Sequence, residues 1–208
     1  MSSSSSSVDP VTVQPSNHDD RRFVSRGGLK LDAALDAFAS HGIEPTGLTC
    51  ADLGCSTGGF TDALLQRGAE HVFAVDTAYG ELAWTLRQDP RVTVLERSNA
   101  LHIPPPEDAH HACGGVVIDL GWTKQAKALP AALPWLAPDG WVISLVKPHY
   151  ESGHHRLDDG TAQAICDDVL QALPDAGWTV IDSLESPVRG GKGRNLEVLA
   201  LLQPLPKP

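Results

Sequence analysis

Short apolar runs alternate with amphipathic stretches along most of the chain. From 29 to 40, Leu31, Ala34, Leu35 and Phe38 recur at helical spacing, which predicts an amphipathic helix opened by Gly27 and Gly28. A strand at 49–53, a helix at 60–67, a strand at 71–75, a helix at 81–88 stopped by Pro90 and a strand at 92–95 follow. The second half keeps the rhythm. Residues 115–119 and 141–147 are nearly continuous apolar runs bounded by Gly and Pro, as parallel strands buried on both faces require. A helix is predicted between them at 123–136, made irregular by Pro130 and Pro134. A helix at 161–173 and strands at 178–184 and 197–202 complete the series. This alternation predicts an α/β fold, a mostly parallel seven-stranded Rossmann-like sheet with helices on both faces. Residues 1–20, with six serines followed by Pro10, Pro15 and Asn17, have too little apolar surface to pack. They are expected to form a disordered tail ahead of a single domain at 21–208.

The stretch joining the first predicted strand to its helix carries the strongest chemical signal. It reads Ala51-Asp52-Leu53-Gly54-Cys55-Ser56-Thr57-Gly58-Gly59-Phe60, and Ala74-Val75-Asp76 ends the next strand. Glycines at Gly54, Gly58 and Gly59 are expected to let the backbone approach a ligand, and Asp76 can accept hydrogen bonds from both hydroxyls of a ribose. A dinucleotide site would place G-x-G-x-x-G around a pyrophosphate, whereas Asp52 would repel a phosphate here. A carboxylate in that place suits the amino group of a methionine moiety, so S-adenosylmethionine fits better than NAD. Ligands of such sheets bind beyond the carboxyl ends of the strands, and Asp52, Asp76, Asp119 and Lys147 all stand there.

Composition adds limits. The chain has 208 residues, of which 41% are hydrophobic and 20% charged, enough for one domain with a full core. Its formal charge of −10 excludes a surface that is basic all over. Screening within about 8 Å still leaves room for a local basic patch on phosphates. Four cysteines without C-x-x-C spacing, and no signal peptide, point to a cytoplasmic protein with reduced thiols. No run approaches the roughly 18 apolar residues of a membrane span. The histidine pairs 110–111 and 154–155 lack the spacing of a zinc site, so no metal is expected.

Taken with Val24-Ser25-Arg26-Gly27-Gly28-Leu29-Lys30, Leu95-Glu96-Arg97-Ser98-Asn99-Ala100, Val116-Val117-Ile118-Asp119 and Leu145-Val146-Lys147-Pro148, the glycine loop resembles the FtsJ-like methyltransferases, and within them the TlyA (haemolysin A) group. The likeness runs in order from about 23 to 202. It implies a class I S-adenosylmethionine-dependent fold and 2′-O-methylation of RNA ribose, most plainly rRNA, by a tetrad matched here by Lys30, Asp119, Lys147 and Glu197. It places Lys30 ahead of the first helix and Glu197 in the last strand. On the cofactor side it implies Asp52, Gly54, Ser56, Thr57, Gly58, Gly59, Phe60 and Asp119 near methionine and the methyl group, Asp76 on ribose, and Ser98 and Asn99 beside adenine.

The chemistry agrees with the likeness, since a ribose hydroxyl is a poor nucleophile until a base takes its proton. Lys147 is the expected base, provided Lys30 and the sulfonium lower its pKa more than Asp119 raises it. Arg21, Arg22 and Arg26 lead into Lys30, while Arg189, Lys192 and Arg194 lead into Glu197, so these six are the expected RNA contacts. The TlyA group usually carries a small RNA-binding domain where this chain has its serine-rich tail, and a partner supplying that domain is one expectation. Trp122 either stacks on a base or packs in the core, and Trp84, Trp135, Trp141 and Trp178 read as core. The competing functional readings are methylation of a small molecule or protein, and a non-catalytic cofactor-binding module.

Overall fold

The computed structural model describes residues 22–191 and 194–206. Helix α1 (Gly27–Phe38) buries Leu31, Ala34, Leu35 and Phe38, the face set by their spacing. It is followed by β1 (Thr49–Leu53), α2 (Gly59–Gln66), β2 (His71–Val75), α3 (Trp84–Arg87) and β3 (Val92–Leu95). The second half holds β4 (Cys113–Ile118), α4 (Gln125–Ala128), β5 (Leu136–Val146), α5 (Pro148–Ser152), α6 (Asp159–Ala172), β6 (Trp178–Glu185) and β7 (Val198–Pro204). The seven strands form one sheet in the order β3-β2-β1-β4-β5-β7-β6. Strands β1 to β5 run parallel, and β7 is antiparallel to both its neighbours. The reversal arises because β6 returns to β7 through a loop without a crossover helix.

Period-two alternation divides the sheet side chains between two cores. Ala51, Leu53, Phe73, Val75, Val116 and Ile118 face one side with Leu129, Trp135, Ala162 and Cys166. Cys50, Val72, Ala74 and Val117 face the other, under Leu31, Leu35, Phe38, Phe60 and Leu64 of α1 and α2. Sheet order reverses between β1 and β4, so the cleft opens at the carboxyl ends of those two strands.

Several boundaries differ from the expectation. The helix predicted at 123–136 is one turn, α4, followed by a 3-10 turn at Leu129–Ala132. Pro130 and Pro134 have no N–H to continue an α-helical ladder, and Leu136 already belongs to β5. The helix predicted at 81–88 shrinks to α3. Its Trp84 is 72% exposed, correcting the core placement, while Trp135, Trp141 and Trp178 are buried. Lys30 lies inside α1, and Glu197 immediately precedes β7. Helix α5, absent from the periodicity reading, starts at Pro148, whose ring suits a first helical position.

Candidate active site

The chain leaves β1 at Gly54 with φ +96°, a region that L side chains rarely adopt, and a Cβ there would stand 2.7 Å from the Asp119 carbonyl oxygen. Close approach of the β1 and β4 ends therefore requires this glycine. The loop is anchored from below, with Gly54 and Cys55 N–H groups donating to the Val75 carbonyl at 2.9 and 3.0 Å. At Gly59 a Cβ would meet Ser25 Oγ at 2.3 Å and the Gly28 nitrogen at 2.7 Å. That glycine is demanded by the start of α1 and not by a ligand, a reason different from the expected one. Asp76 Oδ2 accepts the Ser56 N–H and its Oδ1 the Ala78 N–H, both at 2.8 Å. A carboxylate so held keeps lone pairs for two hydroxyl donors.

Asp52 departs most from its expected part. It has no exposed surface and lines neither cavity of the cleft. Oδ2 accepts from the Thr61 hydroxyl at 2.7 Å, while Oδ1 has no hydrogen-bond partner. Burial pushes its pKa up to about 7, with Asp119 and Asp76 adding to the rise and Thr61 opposing it. Parity explains the placement, because Asp52 shares the face of Cys50 beneath α2. Cys55 in the same loop is buried, and burial followed by the charges of Asp52, Asp76 and Glu96 raises its thiol pKa, so it is no nucleophile.

Two cavities meet at Gly54, Ser56 and Asp119. One, of about 490 Å³, is lined by Asp76, Ser98, Asn99, Trp122 and Lys147. The other, of about 340 Å³, is lined by Ser25, Arg26, Lys30, Thr57, Phe60 and Arg189. The predicted tetrad residues stand around this junction as two ion pairs. Lys30 Nζ is 2.5 Å from Glu197 Oε2, and Lys147 Nζ pairs with Asp119 Oδ1. Glu197 is 3% exposed and Lys30 9%, and the Gly190 backbone lies so close over Glu197 that a Cβ would be 2.2 Å from Oε1. Lys147 also faces the Leu120 carbonyl at 3.4 Å and the Tyr150 ring at 5.5 Å. Burial pushes its pKa down, but Asp119, with Glu197 and Tyr150, outweighs burial and leaves it above the ordinary lysine value. In the protein alone Lys147 is an ammonium.

Trp122 is 77% exposed at φ +56°, with the Tyr150 ring centroid 4.9 Å away and that of His155 6.0 Å away. It is not a core side chain. Sequence reasoning missed His149, Tyr150 and Ser25. His149 Nδ1 is buried without a partner, and burial, then Lys147, His155 and Lys30, lower the pKa of its ring. Ser25 could have been found from its place in the Ser-Arg-Gly-Gly run.

The expected RNA contacts are less free than their sequence spacing suggests. Arg22 pairs with Asp32 at 2.9 Å, and Arg189 with Asp159 at 2.7 Å and Glu185 at 3.4 Å. Arg26 reaches the smaller cavity, Arg194 is exposed, and Arg21 and Lys192 lie outside the described residues. Among the described residues no helix is long and apolar enough to cross a membrane, and no group of three His, Cys, Asp or Glu side chains could share a metal ion.

Residues 23–201 match the profile of the FtsJ-like methyltransferases. The chain belongs to that family. It is 41% identical over 197 residues to the 16S/23S rRNA (cytidine-2′-O)-methyltransferase TlyA of Mycobacterium tuberculosis, covering 88% of this chain and 69% of that protein. A solved structure from Streptococcus thermophilus, provisionally named a hemolysin, is 36% identical with a TM-score of 0.79, covering 90% of this chain and 69% of that one. Geranyl diphosphate methyltransferase in complex with SAM shares the fold alone, at 14% identity and a TM-score of 0.57, with 84% and 85% of the two chains covered. The FtsJ-like chain described here is thus a class I S-adenosylmethionine-dependent methyltransferase. Its site suits that cofactor. Joined cavities of this size fit a ligand with two parts, and the one bearing Asp76, Ser98 and Asn99 offers acceptors for ribose and polar contacts for adenine.

The contribution of Asp76 can be measured directly. Asp76→Ala is expected to weaken S-adenosylmethionine binding by roughly 1.5–3 kcal/mol, the worth of hydrogen bonds to a charged group. Isothermal calorimetry on folded variant and wild type checks this, and equal affinities would remove Asp76 from the cofactor site.

Proposed function

We propose that this chain methylates the 2′-hydroxyl of ribose in ribosomal RNA. The observation that carries the reading is the convergence of Lys30–Glu197 and Lys147–Asp119 on one junction between two cavities. The identity to the M. tuberculosis enzyme supports the choice of rRNA.

S-adenosylmethionine supplies an electrophilic methyl group on a cationic sulfur. Asp119 lines both cavities and would help hold the cofactor at their junction. Lys147, held by Asp119 and the Leu120 carbonyl, is the group that orients the acceptor hydroxyl and takes its proton once its own has been shed. Lys30, fixed by a buried carboxylate, supplies a second positive charge that favours the hydroxyl oxygen as it gains negative charge. Asp52 supports the loop from beneath, through Thr61, and lines neither cavity. Orienting the acceptor hydroxyl toward a bound cofactor would contribute up to roughly 7–11 kcal/mol. Exposed Trp122 beside the junction gives a nucleobase a surface to stack on, worth about 1–3 kcal/mol.

The deciding assay follows label from methyl-labelled cofactor into rRNA or ribosomal subunits, with nuclease digestion to locate it in nucleotides. Label in protein or in small molecules instead would replace the RNA reading. In binding, RNA affinity is expected to fall with salt. Arg26→Gln and Arg194→Gln, at cations with no carboxylate within 4.0 Å among the described residues, should each lower the log–log slope by about 0.7 for single strands. Arg189→Gln should change it less, because Asp159 and Glu185 already neutralise that side chain. Affinity independent of salt would count against an RNA substrate.

A further inference from the structure

One group of side chains outside both cavities has the composition of a binding surface. Tyr79, on the segment joining β2 to α3, is 70% exposed, and Trp84 at the start of α3 is 72% exposed. Tyr79 is nevertheless held in place. The Arg97 guanidinium lies 4.2 Å from its ring centroid, and the Arg97 N–H donates to the Ala78 carbonyl at 3.2 Å. The loop carrying Tyr79 is tied down once more, since Gly80 N–H donates to Glu96 Oε1 at 2.8 Å and Glu96 is paired with Arg87.

Arg97 itself sits at φ +53°, a region unfavourable for a residue with a Cβ. It has no carboxylate within 4.0 Å among the described residues, whereas Arg22, Arg67, Arg91 and Arg189 all do. In a chain of net charge −10, an arginine held away from carboxylates and laid over an exposed ring is a site for an anion joined to a flat π system. Neither Tyr79 nor Arg97 lines the cofactor cavities, yet Ser98 and Asn99, next to Arg97, do. The pair therefore stands outside the cleft at its rim, past the ends of β2 and β3.

We propose that Tyr79 and Arg97 form a second contact for single-stranded RNA, binding nucleotides that flank the acceptor. The proposal rests on the RNA reading above and names the path of that substrate. A base stacks on the aromatic face and the guanidinium meets a phosphate. Strands in a sheet lie about 4.8 Å apart, so β3 is roughly 19 Å from β5 and Lys147. The surface is too far away to hold the acceptor nucleotide itself. Arg26 lines the smaller cavity from another element, so the RNA would cross the cleft with the target ribose over the junction.

The test uses the whole chain, a fluorescein-labelled single-stranded RNA oligonucleotide, and ribosomal subunits as methyl acceptor. Tyr79→Ala is expected to weaken oligonucleotide binding by about 5- to 150-fold, the range for loss of one stacked base, and Tyr79→Phe to retain it. Arg97→Gln is expected to lower the salt slope by about 0.7. In methyl transfer both Tyr79→Ala and Arg97→Gln should raise KM for RNA and leave kcat and cofactor affinity unchanged. If the wild type methylates ribosomal subunits and these variants match it in KM and RNA affinity, the surface is not an RNA contact. A fall in cofactor affinity in the variants would instead make it a cover for the cofactor and overturn the proposal. If the wild type neither binds nor methylates RNA, the functional reading fails and this one with it. Capture of a protein partner that is lost in Tyr79→Ala, with RNA binding intact, would reassign the surface to protein.

Discussion

Lys147→Met is expected to lower methyl transfer by about 10²- to 10⁴-fold, the usual contribution of a positioned acid or base, while cofactor affinity stays near the wild-type value. Methionine keeps an apolar stem and removes the amine, which lies 5.5 Å from the Tyr150 ring centroid. Because Asp119, Glu197 and Tyr150 raise the Lys147 pKa despite burial, the neutral amine is a minor form through the neutral range. Where that lysine must lose its proton before the chemical step, kcat of the wild type should climb about tenfold per pH unit on the acid side of its pKa. Single-turnover transfer to rRNA across a pH series checks both points. Retained activity in the variant, or a flat profile in the wild type with chemistry rate-limiting, would remove Lys147 as the base. Loss of folded protein would identify the Asp119 pair as structural.

The stability of Asp52→Asn relative to the wild type is expected to improve by about 4 kcal/mol as pH rises from about 4 to above 7. The folded-state pKa of Asp52 is raised from 3.8 to about 7 by burial. Between those values the folded chain holds a proton that the unfolded chain has lost. Stability therefore declines as pH rises through this window and remains lower above it. Asparagine keeps the shape and an oxygen to accept from Thr61, and it carries no charge to ionise. Denaturant unfolding of variant and wild type at several pH values measures the difference. A constant difference, or one that moves against the variant as pH rises, would mean that Asp52 is ionised and compensated in the native state.

The parts of the site legible in the sequence are those that local pattern specifies. Gly54, Asp76, Asp119 and Lys147 lie at or just past the ends of apolar runs, and the fold carries such positions to one edge of a parallel sheet. Strand parity was equally readable in principle. Asp52 lies an even step from Cys50, hence under α2, although its acidity suggested a ligand. Two features escaped because proline and exposure override periodicity. Pro130 and Pro134 divide a stretch whose apolar spacing resembles one helix, and Trp84 sits on a turn too short to bury it.

By itself the sequence determined the alternating α/β order, the strands to within a few residues and the glycine loop, because each follows from near neighbours along the chain, while the family resemblance implied a tetrad of Lys30, Asp119, Lys147 and Glu197. Only the tertiary structure decided what those residues meet. Lys30 finds Glu197 across 167 positions, and Arg22 and Arg189 spend their charges on Asp32, Asp159 and Glu185. Tyr79 comes under Arg97 from the end of a different strand. Charge state, ion pairing and exposure depend on the field and solvent access made by distant segments, and no spacing rule along one chain contains them.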